Sequence, residues 1–134
     1  AKIVQQVPEL KKLGTEIRFF DEEIAKASVG RSKVVDGFEF ATNPILWDPE
    51  PGVTLLVTTG KAKTMSFIVA VYPLPGDKYR YASSFIFVND QSPVGLMFAK
   101  EHRDQLLWSS CWGCQGEQGA VQIKDDHKVM IVQY

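Results

Sequence analysis

Apolar residues in the first thirty positions recur every three or four places, which is the spacing of one face of an α-helix. The stripe comprises Val7, Leu10, Leu13, Ile17, Phe20, Ile24 and Ala27. Pro8 suits the first position of a helix, and Gly30 follows the last apolar residue, where glycine commonly ends a helix. The pattern therefore predicts an amphipathic helix over residues 7–29.

Two features of the same segment leave alternatives open. Gly14 costs about 1 kcal/mol relative to alanine in a helix interior, so two shorter helices would also fit. The adjacent Phe19 and Phe20 are compatible with a short strand over residues 17–20. A single helix accounts for the whole stripe and is the prediction that we retain.

After Gly30 the pattern changes to short runs that are rich in apolar and β-branched residues and are separated by turn-forming residues. The runs cover residues 33–41, 53–59, 64–72, 79–88, 94–99, 105–112, 119–124 and 128–134. This regular spacing predicts an antiparallel meander of about seven to eight strands, in a sandwich or a partly closed barrel. Residues 100–108 would also fit one or two helical turns.

Several of these runs are apolar on both faces. Residues 67–72 and 81–88 carry apolar side chains at odd and even positions alike, so both faces of the strand need cover. One face would take the sheet core and the other the N-terminal helix. The predicted fold class is therefore α+β, with an N-terminal amphipathic helix packed on a mostly antiparallel β-meander. We expect residues 1–134 to form a single domain.

The composition predicts a soluble globular protein and disfavours several classes of partner. The 134 residues are 45% hydrophobic and 23% charged, which is ordinary for a folded domain. Fifteen Lys and Arg against sixteen Asp and Glu give a net charge of −1, so no overall attraction to nucleic acid is expected. No apolar run approaches the roughly 20 residues of a membrane-spanning helix.

The two cysteines lie in the motif Cys-Trp-Gly-Cys, residues 111–114. A disulfide needs Cα atoms within about 7 Å, whereas three residues of strand span about 10 Å, so a bond between Cys111 and Cys114 requires a sharp turn. A disulfide is expected if the protein is exported, a location slightly favoured over the cytoplasm. A redox pair is the alternative, but residues 115–119 are a poor start for the helix that such a centre needs.

The two histidines offer few catalytic or metal-binding arrangements. His127 falls in the predicted last turn, roughly 20 Å of strand away from the cysteines, so a zinc site is not expected. His102 with Cys111 is the one pairing that could serve as base and thiol nucleophile. Ser109 and Ser110 lack the G-x-S-x-G context of a catalytic serine. We predict no metal and no cofactor, and no motif identifies a family.

Aromatic residues are the remaining candidates for a binding surface. They are Trp112, Trp108, Trp47, Tyr79 and Tyr81. Such rings could stack on a sugar or another small molecule, or anchor a protein partner. Core packing is the alternative, and it is the stronger one for Trp108.

The predicted function is that of a small non-catalytic binding or interaction protein. Its aromatic, glycine-rich turn, held by Cys111 and Cys114, would contact a protein, a small molecule or a glycan. A thiol-dependent enzyme, redox or nucleophilic, is the first alternative. A structural subunit, a homo-oligomer or a fragment of a larger assembly is the second.

Overall fold

The computed structural model describes residues 7–11, 17–28, 33–35, 37–89, 93–99, 102–113 and 116–134. Within these ranges the chain forms two short helices and eleven strands. In chain order they are α1 (Pro8–Lys11), β1 (Ile17–Phe19), α2 (Asp21–Ser28), β2 (Lys33–Val35), β3 (Phe38–Phe40), β4 (Ile45–Glu50), β5 (Val53–Ala62), β6 (Met65–Leu74), β7 (Lys78–Val88), β8 (Gly95–Ala99), β9 (His102–Ser109), β10 (Gln118–Ile123) and β11 (Val129–Gln133).

The strands form two antiparallel sheets, which confirms the predicted antiparallel architecture. In the first sheet β6 lies between β5 and β7, and β1 and β4 both pair with the other edge of β5. Along that edge, β4 pairs with the first half of β5, and β1 pairs with the last residues of β5. The second sheet has the order β11, β10, β9, β8, β3, β2.

Residues from both sheets share one hydrophobic core. It includes Leu55 and Ile68 from the first sheet and Leu106 and Trp108 from the second. The rings of Phe85 and Phe87 on β7 lie 5.5 and 5.3 Å from the ring of Trp108. The two sheets therefore pack face to face around Trp108, which is fully buried.

The central strand β6 is buried on both faces, as its apolar pattern predicts. Ile68 and Ala70 belong to the core between the sheets. Phe67, Val69 and Val71 form a second cluster with Val7 and Leu10, both of which are fully buried. A helix of four residues, α1, therefore supplies part of the cover on the second face.

The predicted α+β class is wrong, because the long N-terminal helix over residues 7–29 is not formed. The chain instead forms α1, the three-residue β1 and the eight-residue α2. As a strand, β1 places Ile17 and Phe19 on one face, where both pack on the second cluster. Phe19 meets the ring of Phe67 edge to face at 5.7 Å. This packing outweighs helical periodicity, so the short-strand alternative describes the chain.

Besides β1, two further strands make the predicted strand count too low, each for a local reason. The run 33–41 is a hairpin, β2 and β3, which turns at Gly37 with a φ of +83°. The proline-rich segment before Val53, which predicts an irregular loop, contains β4. Pro49 is tolerated there because β4 pairs on one side only, so a missing N–H leaves the ladder intact. Residues 102–109 form strand β9 and not helical turns.

Candidate functional site

The cysteine motif lies in the connection between β9 and β10. The Cys111 N–H donates to Ser109 Oγ at 3.2 Å, and the Ser109 hydroxyl donates to the Cys111 carbonyl at 3.2 Å. Ser110 and Glu117 close the connection, since the Ser110 N–H donates to the Glu117 carbonyl at 2.8 Å. Gly113 has a φ of +74°, as a sharp turn requires. Cys114 lies outside the described residues, so its pairing with Cys111 stays a prediction.

Trp112 connects separate segments of the fold through its ring, its indole N–H and its backbone N–H. Its indole N–H donates to the Ala41 carbonyl at 2.8 Å, and its backbone N–H donates to the Pro93 carbonyl at 2.8 Å. Its ring meets Phe40 edge to face at 5.8 Å and is 8% exposed. Gly95 makes this packing feasible, because an added Cβ would lie 2.7 Å from the Trp112 ring.

The other two tryptophans are also buried. Trp108 is 0% and Trp47 is 4% exposed. The Trp108 indole N–H donates to the Val132 carbonyl at 3.0 Å, and Gly119 leaves the space that the ring occupies. Core packing, the stronger alternative for Trp108, is therefore what the structure shows.

The two candidate tyrosines lie elsewhere. Tyr79 and Tyr81 on β7 are half-buried and pack on the second cluster, together with Phe67 and Leu10. The Tyr81 hydroxyl shares a hydrogen bond of 2.8 Å with Ser84. The three tryptophans belong to the core between the sheets, so the five aromatic candidates do not form one surface.

The histidines are distant from Cys111. His102 begins β9, whereas Cys111 follows its last residue by two positions, so about 23 Å of strand separates them. His127 lies in the β10–β11 turn, where its Nδ1 is 3.3 Å from Glu50 Oε1. Neither imidazole is placed to act as a base for the Cys111 sulfur. Among the described residues, no three His, Cys, Asp or Glu side chains gather as a metal site.

A groove of about 660 Å³ runs between β4 and the pair β9 and β10. We call it the β4–β10 groove. Its apolar lining includes Trp47, Pro49, Leu106, Leu107, Ala120, Val121 and Ile123. Its polar and charged lining includes Glu50, Asp104, Gln105, Gln122, Lys124, Asp125 and His127, with Tyr134 beside them.

The groove follows from an irregularity in β4. Trp47 pairs with Leu55 and Glu50 pairs with Val53, so three steps of β4 face two steps of β5. Such a bulge bends the strand, and here it falls at Pro49, which cannot donate to a ladder. The bend turns the end of β4 toward β9, with which it makes contact. Trp47 is the one predicted aromatic that lines this groove.

A second groove of about 420 Å³ adjoins the first on the other side of Trp47. Ala41, Ile45, Leu46 and Phe98 line it with Trp47 and Asp48. Leu46 is 66% exposed. The sequence gives no local sign of either groove, because their walls come from strands that are far apart in the chain.

A buried polar junction holds the chain between β3 and β4. The Asn43 side-chain amide donates to Asp21 Oδ1 at 2.6 Å and to Thr58 Oγ1 at 3.0 Å, and its oxygen accepts from the Thr59 N–H at 3.1 Å. Burial raises the pKa of the Asp21 carboxyl, while the hydrogen bond from Asn43 lowers it in part. The junction joins the start of α2 to β5.

Comparison of the chain with protein-family models, with curated proteins and with solved structures finds no match. No helix in the described part of the chain is both long enough and apolar enough to cross a lipid bilayer. Function must therefore be argued from the geometry of the grooves and of the charged side chains.

Proposed function

We propose that this protein is a non-catalytic binding protein and that its ligand occupies the β4–β10 groove. The observation that carries the proposal is the groove itself. Its volume of about 660 Å³ falls within the roughly 300–1,000 Å³ of small-molecule sites. It also combines apolar side chains with a few polar ones, the mixture that such sites use for affinity and orientation.

The lining favours a ligand with an apolar part and at least one polar group. Leu107 and Ile123 are half-buried, so a ligand that covers them removes further apolar surface from water. Each 100 Å² of apolar surface covered in this way contributes about 2.5 kcal/mol before the costs of association. Gln105, Asp104 and Lys124 are exposed beside them and can orient polar groups.

We also propose that Cys111 and Cys114 form a disulfide with a structural role. No free cysteine lies among the described residues, and the positive φ of Gly113 supports the turn that the bond requires. A bond across so few residues removes little entropy from the unfolded chain, so its effect on stability is modest. Intact mass under non-reducing conditions checks it, since the disulfide lacks the mass of two hydrogens.

The groove can be tested without knowing the natural ligand. A fluorinated fragment library and a library of displayed random peptides are screened on the purified protein, and amide chemical shifts map each hit. The test variant Gln105→Trp introduces a large ring at an exposed position of the groove. The matched control Val88→Trp introduces the same ring at a strand position that is 73% exposed and does not line the groove.

We expect the hits to shift amides of β9 and β10 around residues 104–107 and 120–124. Gln105→Trp should weaken their binding about tenfold, which corresponds to about 1.4 kcal/mol. Val88→Trp should bind as the unaltered protein does. Hits that map to the connection around Trp112, or that bind equally to both variants, would contradict the proposal.

A further inference from the structure

A depression of about 500 Å³, distinct from both grooves, lies at the edge of the first sheet. It is lined by Ile17 and Arg18 of β1, Lys61 of β5 and Lys63 of the β5–β6 turn. None of these residues lines the β4–β10 groove. The depression is therefore a separate feature, and three of its four lining residues are cationic.

Two of the cations are direct partners across the β1–β5 ladder. Arg18 pairs with Lys61 in antiparallel register. The Cβ atoms of such partners lie about 4.5–5.5 Å apart on the same face of the sheet, and like charges at this position destabilise the pair. An anion bound between the two side chains would turn this repulsion into attraction.

The third cation sits in an uncommon backbone conformation. Lys63 has a φ of +56° in the turn between β5 and β6. Glycine and asparagine adopt this left-handed region at lower cost than lysine, and such strain tends to accompany functional positions. The turn brings a further positive charge to the depression that Arg18 and Lys61 border.

The positive charge of the depression is only partly balanced. Arg18 Nε lies 3.0 Å from Glu23 Oε1 on α2. Lys61 and Lys63 make no ion pair with any residue in the described ranges. Among the described residues, one ion pair, that of Arg18 with Glu23, therefore accompanies the three cations.

We propose that this depression binds a multiply charged oxyanion, a phosphate or sulfate monoester group. Arginine binds such groups through paired N–H donors, and lysine adds compact positive charge. The three cations lie on two neighbouring strands and a tight turn, so little ordering is needed on binding. The same head group could belong to a free metabolite or to a lipid, and the test distinguishes the two sources.

The probe is sodium phosphate, added to the isotopically labelled protein, with sodium chloride at equal ionic strength as the reference. Lys61→Gln removes one charge from the strand. Lys63→Asn removes another and suits the positive φ, so it should leave the unfolding free energy equal or higher. Lys78→Gln on β7 is the matched control, because Lys78 is exposed and lies outside the depression.

We expect saturable shifts at Arg18, Lys61 and Lys63 with phosphate and not with chloride. Lys61→Gln and Lys63→Asn should each weaken phosphate binding about tenfold, and Lys78→Gln should leave it unchanged. Shifts that grow linearly with concentration, or that fall equally in all three variants, would overturn the site. Vesicles of phosphatidylcholine with and without a phosphatidylinositol phosphate then assign the source. Vesicle binding that needs Lys61 and Lys63 supports a lipid head group, and its absence beside phosphate binding supports a free metabolite.

Discussion

The two ends of the molecule are held together in different ways. At the first, which we call the cysteine end, the β5–β6 turn and the β7–β8 and β9–β10 connections meet. Trp112, Asn89 and Ser110 make hydrogen bonds there that cross from one connection to another. At the second, the groove end, the β4–β5 and β10–β11 turns meet. They are linked by the contact of His127 Nδ1 with Glu50 Oε1 at 3.3 Å, in which the His127 side chain is 79% exposed.

This difference separates side chains that are engaged within the fold from side chains that a ligand could reach. The indole N–H, the ring and the backbone N–H of Trp112 are all engaged within the fold. A side chain satisfied in this way has little capacity left for a ligand. The groove end, by contrast, leaves Gln105, Lys124 and Asp125 exposed beside an apolar lining. The connection around Trp112 is thus suited to stability and the groove end to binding the proposed ligand.

The largest expected effect is at the cysteine end. Trp112→Ala should lower the unfolding free energy by about 3–5 kcal/mol, because it empties a buried aromatic site and leaves the Ala41 carbonyl without its donor. Trp112→Phe keeps most of the ring and should cost less. Urea denaturation followed by circular dichroism measures both. A loss below about 1 kcal/mol for Trp112→Ala would mean that Trp112 does not hold this end together.

A much smaller effect is expected at the groove end. His127→Ala removes the exposed contact between His127 and Glu50, and such polar surface contacts contribute about 0–1 kcal/mol, so the unfolding free energy should change by no more than that. Lys128→Ala is the control, since Lys128 pairs with Asp126 within the same turn. If His127→Ala proved as costly as Trp112→Ala in the same denaturation assay, the contrast between the two ends would not hold.

The smallest expected effect is a change in pH dependence at the Asn43 junction. Burial raises the pKa of the Asp21 carboxyl above its ordinary value of 3.8. The stability that this raised pKa contributes is therefore complete below pH 3.8, and it is lost as the pH rises through the pKa of Asp21 in the folded state. The variant Asp21→Asn has no carboxyl to titrate at this position, so it does not lose this stability. Its unfolding free energy relative to that of the unaltered protein should therefore increase as the pH rises through the pKa of Asp21. Denaturation curves at several pH values check this, and a difference that is constant with pH would contradict it.

Apart from β4 and the β2–β3 hairpin, the strands after Gly30 were predictable because their apolar runs and turn residues are local signals. The double-sided burial of β6 followed from the same pattern. The N-terminal segment was not predictable in this way, since Ile17 and Phe20 fit a helical stripe whereas Ile17 and Phe19 fit one face of a strand. The packing of Ile17 and Phe19 on the second cluster decides between the two, and a sequence does not display that packing.

The candidate sites were not predictable either, because they depend on contacts between residues that are far apart in the chain. β4 was not predicted because prolines indicate a loop, although Pro49 is compatible with a strand that pairs on one side only. The β4–β10 groove depends on bringing residues 47–50 beside residues 104–107 and 120–125, which are far apart in the chain. The cationic pair of Arg18 and Lys61 likewise depends on the register of β1 against β5. The turn at Gly113 could be predicted directly from the sequence, whereas the turn at Gly37 was missed.

The central claim is that the proposed ligand binds in the β4–β10 groove and that the connection around Trp112 has a structural role. The most direct test compares Gln105→Trp with Trp112→Phe, using one ligand selected from the libraries on the unaltered protein and measured by titration calorimetry. The account predicts that Gln105→Trp weakens binding about tenfold and that Trp112→Phe leaves the affinity within about twofold. The opposite order, with affinity lost in Trp112→Phe and kept in Gln105→Trp, would contradict it.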